Sequence, residues 1–289
     1  MKAGFSVIVE SMNIDPIKTK PHIFSALMNK RMLICIFTGF SSGLPLYILV
    51  SLLPAWLRSE GVDLKAIGLF ALIQLPFTWK FIWAPLFDRY ALPMGRRRGW
   101  LLVTQLGLLL SLPLLGIFHP QLDIWTIAYF SALVAFFSAS QDVVLDAYRR
   151  EILPDHELGL GNTIHVNAYK IAGLVPGSLS LILADHLPWD SVFLITALFM
   201  LPGLIMTLLV QEPALKNGTP KTLKAAVVEP FQEFIGRRGV KSALTVLAFI
   251  FLYKLGDSMA TALATPFYLD MGFSKTEIGL IAKNAGLWP

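Results

Sequence analysis

Six ionisable residues stand inside otherwise apolar stretches: Lys80, Asp142, Asp146, Lys170, Lys254 and Asp257. In an apolar surround an isolated charge costs roughly 2.5 kcal/mol or more, so each must be paired, wetted or neutralised. A carboxylate that is neutralised has bound a proton. Asp142 and Asp146 are four residues apart and share one helix face. Asp142 lies seven residues before Arg149, about 10 Å along a helix at 1.5 Å per residue. Lys80 lies eight residues before Asp88, which puts it at a similar depth. The expectation is an ion pair between Lys80 and Asp142 or Asp146, either static or opened when one carboxylate takes a proton. Farther on, His165 and Tyr169 share one helix face and Asn167 and Lys170 another. Lys170 suits an anionic carboxylate unless an acid elsewhere pairs with it. His165, with an unperturbed pKa near 6.5, is either a proton carrier or a hydrogen-bonded structural histidine. Lys254 and Asp257 are three residues apart, so they neutralise each other or stand on a cavity wall. A last cluster, Asp88, Arg89, Arg96, Arg97 and Arg98, is either a set of topology-setting charges or a contact between helix ends that opens and closes.

The elements that must position these groups follow from long apolar runs. Residues 32–57, 99–122, 124–141 and 191–211 contain no Asp, Glu, Lys or Arg. A helix needs roughly 20 apolar residues to cross a hydrocarbon core of about 30 Å. Charged residues make up 15% of the 289-residue chain, against about 25% in soluble domains. The fold class expected is an all-α polytopic membrane protein, with spans near 32–57, 66–87, 99–118, 124–148, 160–184, 191–211 and 242–269 and an eighth opening near 277. A transmembrane barrel would show short alternating segments, and the sequence has none. Gly39 and Gly43 form a small-residue face suited to close helix packing, and Cys35, the single cysteine, reads as a small packing residue. No phosphate-binding glycine loop, paired-histidine motif or nucleophile elbow occurs, so no catalytic residue, metal or cofactor is expected, and the chain does not read as an enzyme.

The net charge of +5 reflects topology rather than a nucleic-acid partner. Counting Lys and Arg between the spans gives 17 on the side of the N-terminus and 3 on the other, which places the N-terminus and the stretch after Gln211 in the cytoplasm. Residues 1–31 read as a cytoplasmic extension with no cleaved signal, and Met28 is an alternative start. Residues 32–211 read as a six-helix bundle, 212–241 as a basic cytoplasmic linker, and 242–289 as the start of a second bundle. A repeat supports that division. Pro54-Ala55-Trp56-Leu57, Gly61-Val62 and Ile67-Gly68-Leu69 return about 211 residues later as Pro266-Phe267-Tyr268-Leu269, Gly272-Phe273 and Ile278-Gly279-Leu280. A complete second unit needs roughly 130–200 further residues on that spacing, so the chain reads as one that stops within its second half.

The stretch from Lys80 to Tyr90 followed by Gly95-Arg96-Arg97-Arg98-Gly99-Trp100 resembles the loop between the second and third helices of the major facilitator superfamily. Ala84 stands where the general motif has Gly, and Arg89 is five residues from Gly95 instead of one. Those departures resemble a narrower branch, the AmpG-type muropeptide permeases and related acetyl-CoA transporters. Gly39 to Pro45, Asp63 to Gly68, Ser138 to Ala147 and Leu183 to Asp185 match that branch in order. The resemblance implies a superfamily six-helix N-terminal bundle with an incomplete second bundle. It also implies proton-driven import of anhydro-muropeptides from periplasm to cytoplasm across a bacterial inner membrane, for peptidoglycan recycling. The partners so implied are the lipid bilayer, a small glycopeptide and protons, with a monomer as the working expectation. A carrier for another bulky anion, such as acetyl-CoA or an organic anion, and a non-functional truncated product are the alternatives.

Overall fold

In a hydrocarbon core each backbone N–H and C=O must find its partner within its own segment, which leaves helices as the available form for runs of this kind. The computed structural model describes residues 29–214 and 223–282; these contain helices and no β-strand. Among the described residues, seven helices are long and apolar enough to cross a membrane: α1 Lys30–Ser59, α2 Leu64–Ile82, α3 Arg96–Leu115, α4 Ile124–Ile152, α5 Asp155–Leu183, α6 Trp189–Leu209 and α7 Gly239–Asp270. An eighth, α8, opens with Lys275–Glu277 and runs on through Ile278–Ala282. The protein is an all-α, multi-pass membrane protein. Residues 29–31 are the described part of the expected 1–31 extension, and 215–222 of the expected linker lie outside the described residues, as do 283–289. The remainder of that linker is helical from Leu223, and the helix is interrupted at Gly239 (φ 78°, ψ 162°), where α7 begins.

Prolines explain where the spans depart from regular helix. Pro45 supplies no N–H, and α1 widens into a π turn over Ile48–Leu52 just before Pro54. Pro176 sits in a second π turn, Val175–Leu179, within α5. In α2, the 3-10 turns Ala71–Gln74 and Lys80–Ile82 precede Pro76 and Pro85, and the second ends the span. The segment expected as one helix over 66–87 therefore breaks at Trp83, and Ala84–Arg89 forms a separate short helix.

The α1–α5 pair is the most extensive packing among the described residues, and its register is parallel. A Cβ at Gly39 would fall on the main-chain carbonyl of His165; at Gly43 it would lie 2.5 Å from the Tyr169 carbonyl oxygen. A Cβ at Gly161 would lie 3.3 Å from Cys35 Sγ, and one at Gly173 would lie 3.0 Å from the Tyr47 ring. Gly39 and Gly43 on α1 and Gly161 and Gly173 on α5 thus line the seam, and the backbones approach closely. Around this pair, Trp56, Leu108, Leu112, Val134, Phe193 and Ala197 join α1, α3, α4 and α6 in one buried cluster.

The repeated segment has the same geometry in both copies. Gly61 (φ 83°) and Gly272 (φ 89°) end α1 and α7 in the left-handed region, which glycine enters without a Cβ penalty. Val62 N–H donates to Leu57 O at 3.0 Å, and Phe273 N–H donates to Tyr268 O at 3.2 Å. Asp63 then caps α2 and Ser274 caps α8.

Candidate functional site

Asp142 sits on α4 where α1 and α2 converge. Ser42 Oγ of α1 donates to its Oδ1 at 2.5 Å, and Lys80 Nζ of α2 lies 3.8 Å from its Oδ2. The Asp142 side chain is 13% exposed and that of Lys80 is 32% exposed, so the carboxylate is the more deeply buried of the two. Three further hydrogen bonds fix the framework. Gln141 Nε2 donates to Ser41 O at 2.7 Å, Gln105 Nε2 approaches Ser41 Oγ at 3.4 Å, and Trp83 Nε1 donates to Ser140 Oγ at 3.0 Å. Lys80 opens the 3-10 turn Lys80–Ile82 at the end of α2. Chemically, the pair is a carboxylate with one close neutral donor and one looser cation. A proton on Asp142 would remove the charge that holds Lys80 nearby. Asp146, one turn on, is paired with Arg149 at 2.9 Å instead of Lys80 and is exposed.

His165 is buried in the α1–α5 seam, with Nδ1 3.2 Å from Thr38 Oγ1. Thr38 Oγ1 donates to Cys35 O at 3.0 Å, so its oxygen is left to accept and the imidazole proton belongs on Nδ1. This is the geometry of a hydrogen-bonded structural histidine. Asn167 is exposed and donates to Thr163 O of its own helix at 2.8 Å. Lys170 is exposed, and its side chain makes no hydrogen bond or ion pair among the described residues. Lys254 Nζ donates to Asp257 Oδ2 at 3.0 Å, and Lys254 borders a cleft shared with Leu46, Gln74, Thr78 and Ser258 between α1, α2 and α7.

The arginine cluster at the start of α3 is tied to α4, α6 and the short helix Ala84–Arg89. Arg97 Nη2 lies 2.7 Å from both Asp88 Oδ1 and Glu151 Oε1, and Arg96 Nη2 lies 2.7 Å from Glu151 Oε1. Arg98 donates to the last carbonyls of α6, Leu208 O at 2.8 Å and Thr207 O at 3.2 Å. The carboxylate of Glu212 accepts from the N–H groups of Arg97 and Arg98 at 2.8 and 2.9 Å, filling the anion position at the α3 N-terminus. Gly95 (φ 114°) makes this approach possible, since a Cβ there would lie 2.5 Å from Glu212 Oε2. Arg89 stands apart, its guanidinium 5.8 Å from the Tyr90 ring centroid. Among the described residues no group of three or more His, Cys, Asp or Glu side chains is placed to hold a metal ion.

The family model for the Major Facilitator Superfamily matches residues 35–287. The chain belongs to the major facilitator superfamily. It is 52% identical over 267 residues to an uncharacterized protein of Haemophilus influenzae, covering 91% of this chain and 63% of the relative. It is 43% identical over 260 residues to a protein of Escherichia coli K12 named anhydromuropeptide permease, covering 89% of this chain and 52% of the relative. It is 30% identical over 260 residues to the putative transporter AmpG 4 of Rickettsia conorii, covering 86% of this chain and 62% of that protein. The chain therefore spans between about half and two thirds of the length of these curated relatives, and the named ones are a permease and a transporter, not enzymes. Against that background, the residues which sequence reasoning overlooked are Ser42, Glu151 and Glu212. Ser42 lies in an unbroken apolar run beside Ser41, and the two acids pair across 54 and 115 residues of chain, a separation that spacing along one helix does not signal.

Proposed function

We propose that this superfamily member is part of a proton-coupled importer of anhydro-muropeptides, lying in a bacterial inner membrane with its N-terminus in the cytoplasm. The observation that carries the reading is the 43% identity to the anhydromuropeptide permease of Escherichia coli over 89% of this chain. The buried Asp142, held by Ser42 and Lys80 inside a span, supplies a group suited to a proton. In this reading Asp142 is the coupling carboxylate, and Lys80 is the counter-charge released when it is protonated. Asp146, with Arg149, sits at the mouth of the path. Lys170 offers a cation to the substrate's carboxylates, while Asn167, Lys254 and Asp257 stand on the cavity wall and His165 braces it. Asp88 with Arg96 and Arg97 is the cytoplasmic contact that loosens as the helix ends move, and Arg89 and Arg98 flank it. Alternating access requires such a bistable contact.

The test is uptake of labelled anhydro-muropeptide into right-side-out membrane vesicles carrying the protein. Uptake above empty vesicles that a protonophore abolishes is the expected result. Transport of acetyl-CoA or another organic anion, with no muropeptide uptake, would overturn the substrate and favour the second carrier reading. For the orientation, a membrane-impermeant maleimide should label Leu122→Cys from outside intact cells, and Ala214→Cys only after permeabilisation.

A further inference from the structure

Two tyrosines stand within the α1–α5 seam. Tyr47 of α1 and Tyr169 of α5 have ring centroids 5.6 Å apart and planes inclined at 59°. Both are half-buried, and neither hydroxyl makes a hydrogen bond among the described residues. That combination calls for an explanation, because a tyrosine buried within a span normally finds a partner for its O–H. The pair is also seated closely in the seam. Gly43 lets the Tyr169 backbone come against α1, and Gly173 leaves the space that the Tyr47 ring fills. The Tyr47 ring and the Tyr169 backbone are thus placed before anything binds. Tyr169 is followed in α5 by the exposed Lys170.

We propose that Tyr47 and Tyr169 form a preorganised platform for the amino-sugar ring of the substrate, an assignment that rests on the muropeptide reading above. A pyranose presents a face of C–H groups bordered by hydroxyl and acetamido groups. An aromatic face carries the negative part of its quadrupole and suits the C–H groups. Two free phenol hydroxyls at the edge of the platform suit the polar rim, in the manner of sites that combine aromatic walls with a few placed polar groups. A pair of leucines would fill the same space and recognise neither.

The test uses the wild-type chain in detergent, titrated with three ligands: the peptide-free amino-sugar disaccharide, the same disaccharide with its stem peptide, and the free stem peptide. Tyr47→Leu and Tyr169→Leu should each weaken both sugar-containing ligands about tenfold and leave the free peptide within about twofold. Leucine variants that bind the disaccharide as the wild type does would overturn the platform. If those variants lose their fold, protection in the wild type decides. Saturating disaccharide should shield Tyr47 and Tyr169 from nitration by tetranitromethane, read by mass spectrometry, and unchanged nitration overturns the assignment. A wild-type chain that binds free peptide but no disaccharide also refutes the platform and leaves the transport reading standing. One that binds none of the three overturns both.

Discussion

Arg58 and Asp270 occupy the same position in the two copies of the repeated segment, and their side chains meet, with Arg58 Nε donating to Asp270 Oδ1 at 2.6 Å. The contact joins the ends of α1 and α7. A second contact lies at the same end of the molecule. Asp185, just past α5, accepts from the Thr276 N–H at 2.8 Å and the Thr276 hydroxyl at 2.7 Å, and Lys275 Nζ lies 3.6 Å away. Helices α1 and α5 are thus tied by charge to α7 and α8 at the end opposite the Arg96–Arg98 cluster.

For Arg58 and Asp270 the expected coupling is about 1 kcal/mol, since both side chains keep partial access to water and partly exposed pairs are weak. Arg58→Ala and Asp270→Ala should lower the thermal midpoint in detergent, and their effects should combine to less than their sum. The charge swap Arg58→Asp with Asp270→Arg should recover most of the loss. Strict additivity of the two alanine variants, with no recovery on swapping, would show that the pair contributes nothing.

The Asp185 contact has a definite pH dependence. Burial alone would raise the Asp185 carboxyl, but the hydrogen bonds from the Thr276 hydroxyl and N–H, together with Lys275, outweigh it and hold the carboxyl below its ordinary value. A depressed carboxylate contributes its full stabilisation above the unfolded value, about 3.9, and loses it as pH falls through the lower folded value. The distance between spin labels at Leu187 and Phe273 should therefore stay constant from pH 8 to pH 5 and broaden below about pH 4. Asp185→Asn should be broad throughout. A transition centred near neutral pH would contradict this account.

Much of this architecture was legible in the residues because the chain's environment is so restrictive. An apolar run of span length has few alternatives to a helix, so α1, α3, α4 and α6 fall close to their expected bounds. The Lys80–Asp142 pair was accessible for a similar reason, since Asp88 and Arg149 mark a depth from which residues can be counted along two helices. Counting left Asp142 and Asp146 equivalent, and only packing separated them, by giving Asp146 to Arg149. Ser42 was hidden because Ser41 and Ser42 differ by about 100° of helical phase, and the choice between facing Gln141 and facing Asp142 is made by the seam. The break at Trp83 and the helix from Leu223 into the basic linker were likewise outside what periodicity reports.

The seam itself makes a sharp prediction about glycines. Gly43→Ala would place a Cβ 2.5 Å from the backbone carbonyl oxygen of Tyr169, and backbone cannot step aside as a side chain can. Overpacking of this kind costs about 1–3 kcal/mol. Gly159→Ala meets nothing within 4 Å inside the same α5, where alanine's helix propensity should be neutral or add up to about 1 kcal/mol. Thermal midpoints of the two variants should move in opposite directions or differ strongly. Equal midpoints would mean that α1 and α5 do not pack as closely as described.

Glu151 is the shared anion of Arg96 and Arg97, whose side chains are 9% and 4% exposed. Removing it leaves two largely buried cations with Asp88 alone. Loss of one partner of a buried charge network typically costs about 3–5 kcal/mol, so Glu151→Ala should reduce folded protein in the membrane more than Arg89→Ala, which leaves the network intact. Size-exclusion profiles of the solubilised variants give the comparison, and similar monodispersity for both would refute it.

Asp142 and Lys80 give the most discriminating mutational series. Lys80→Met removes the cation and leaves a largely buried carboxylate with only Ser42 Oγ as a partner. Asp142→Asn leaves the lysine, the less buried of the two groups, so it should disturb folding less. The double variant removes both charges, and its stability should exceed that of Lys80→Met, because an unpaired buried charge costs more than an absent pair. Transport should not follow the same order. If Asp142 carries the coupled proton, both variants lacking its carboxylate lose protonophore-sensitive uptake however well they fold. Ser42→Ala keeps the carboxylate and removes only its 2.5 Å donor. It should retain protonophore-sensitive uptake. Proton-dependent uptake that survives in Asp142→Asn would remove Asp142 from the coupling step, leaving the pair a brace between α2 and α4.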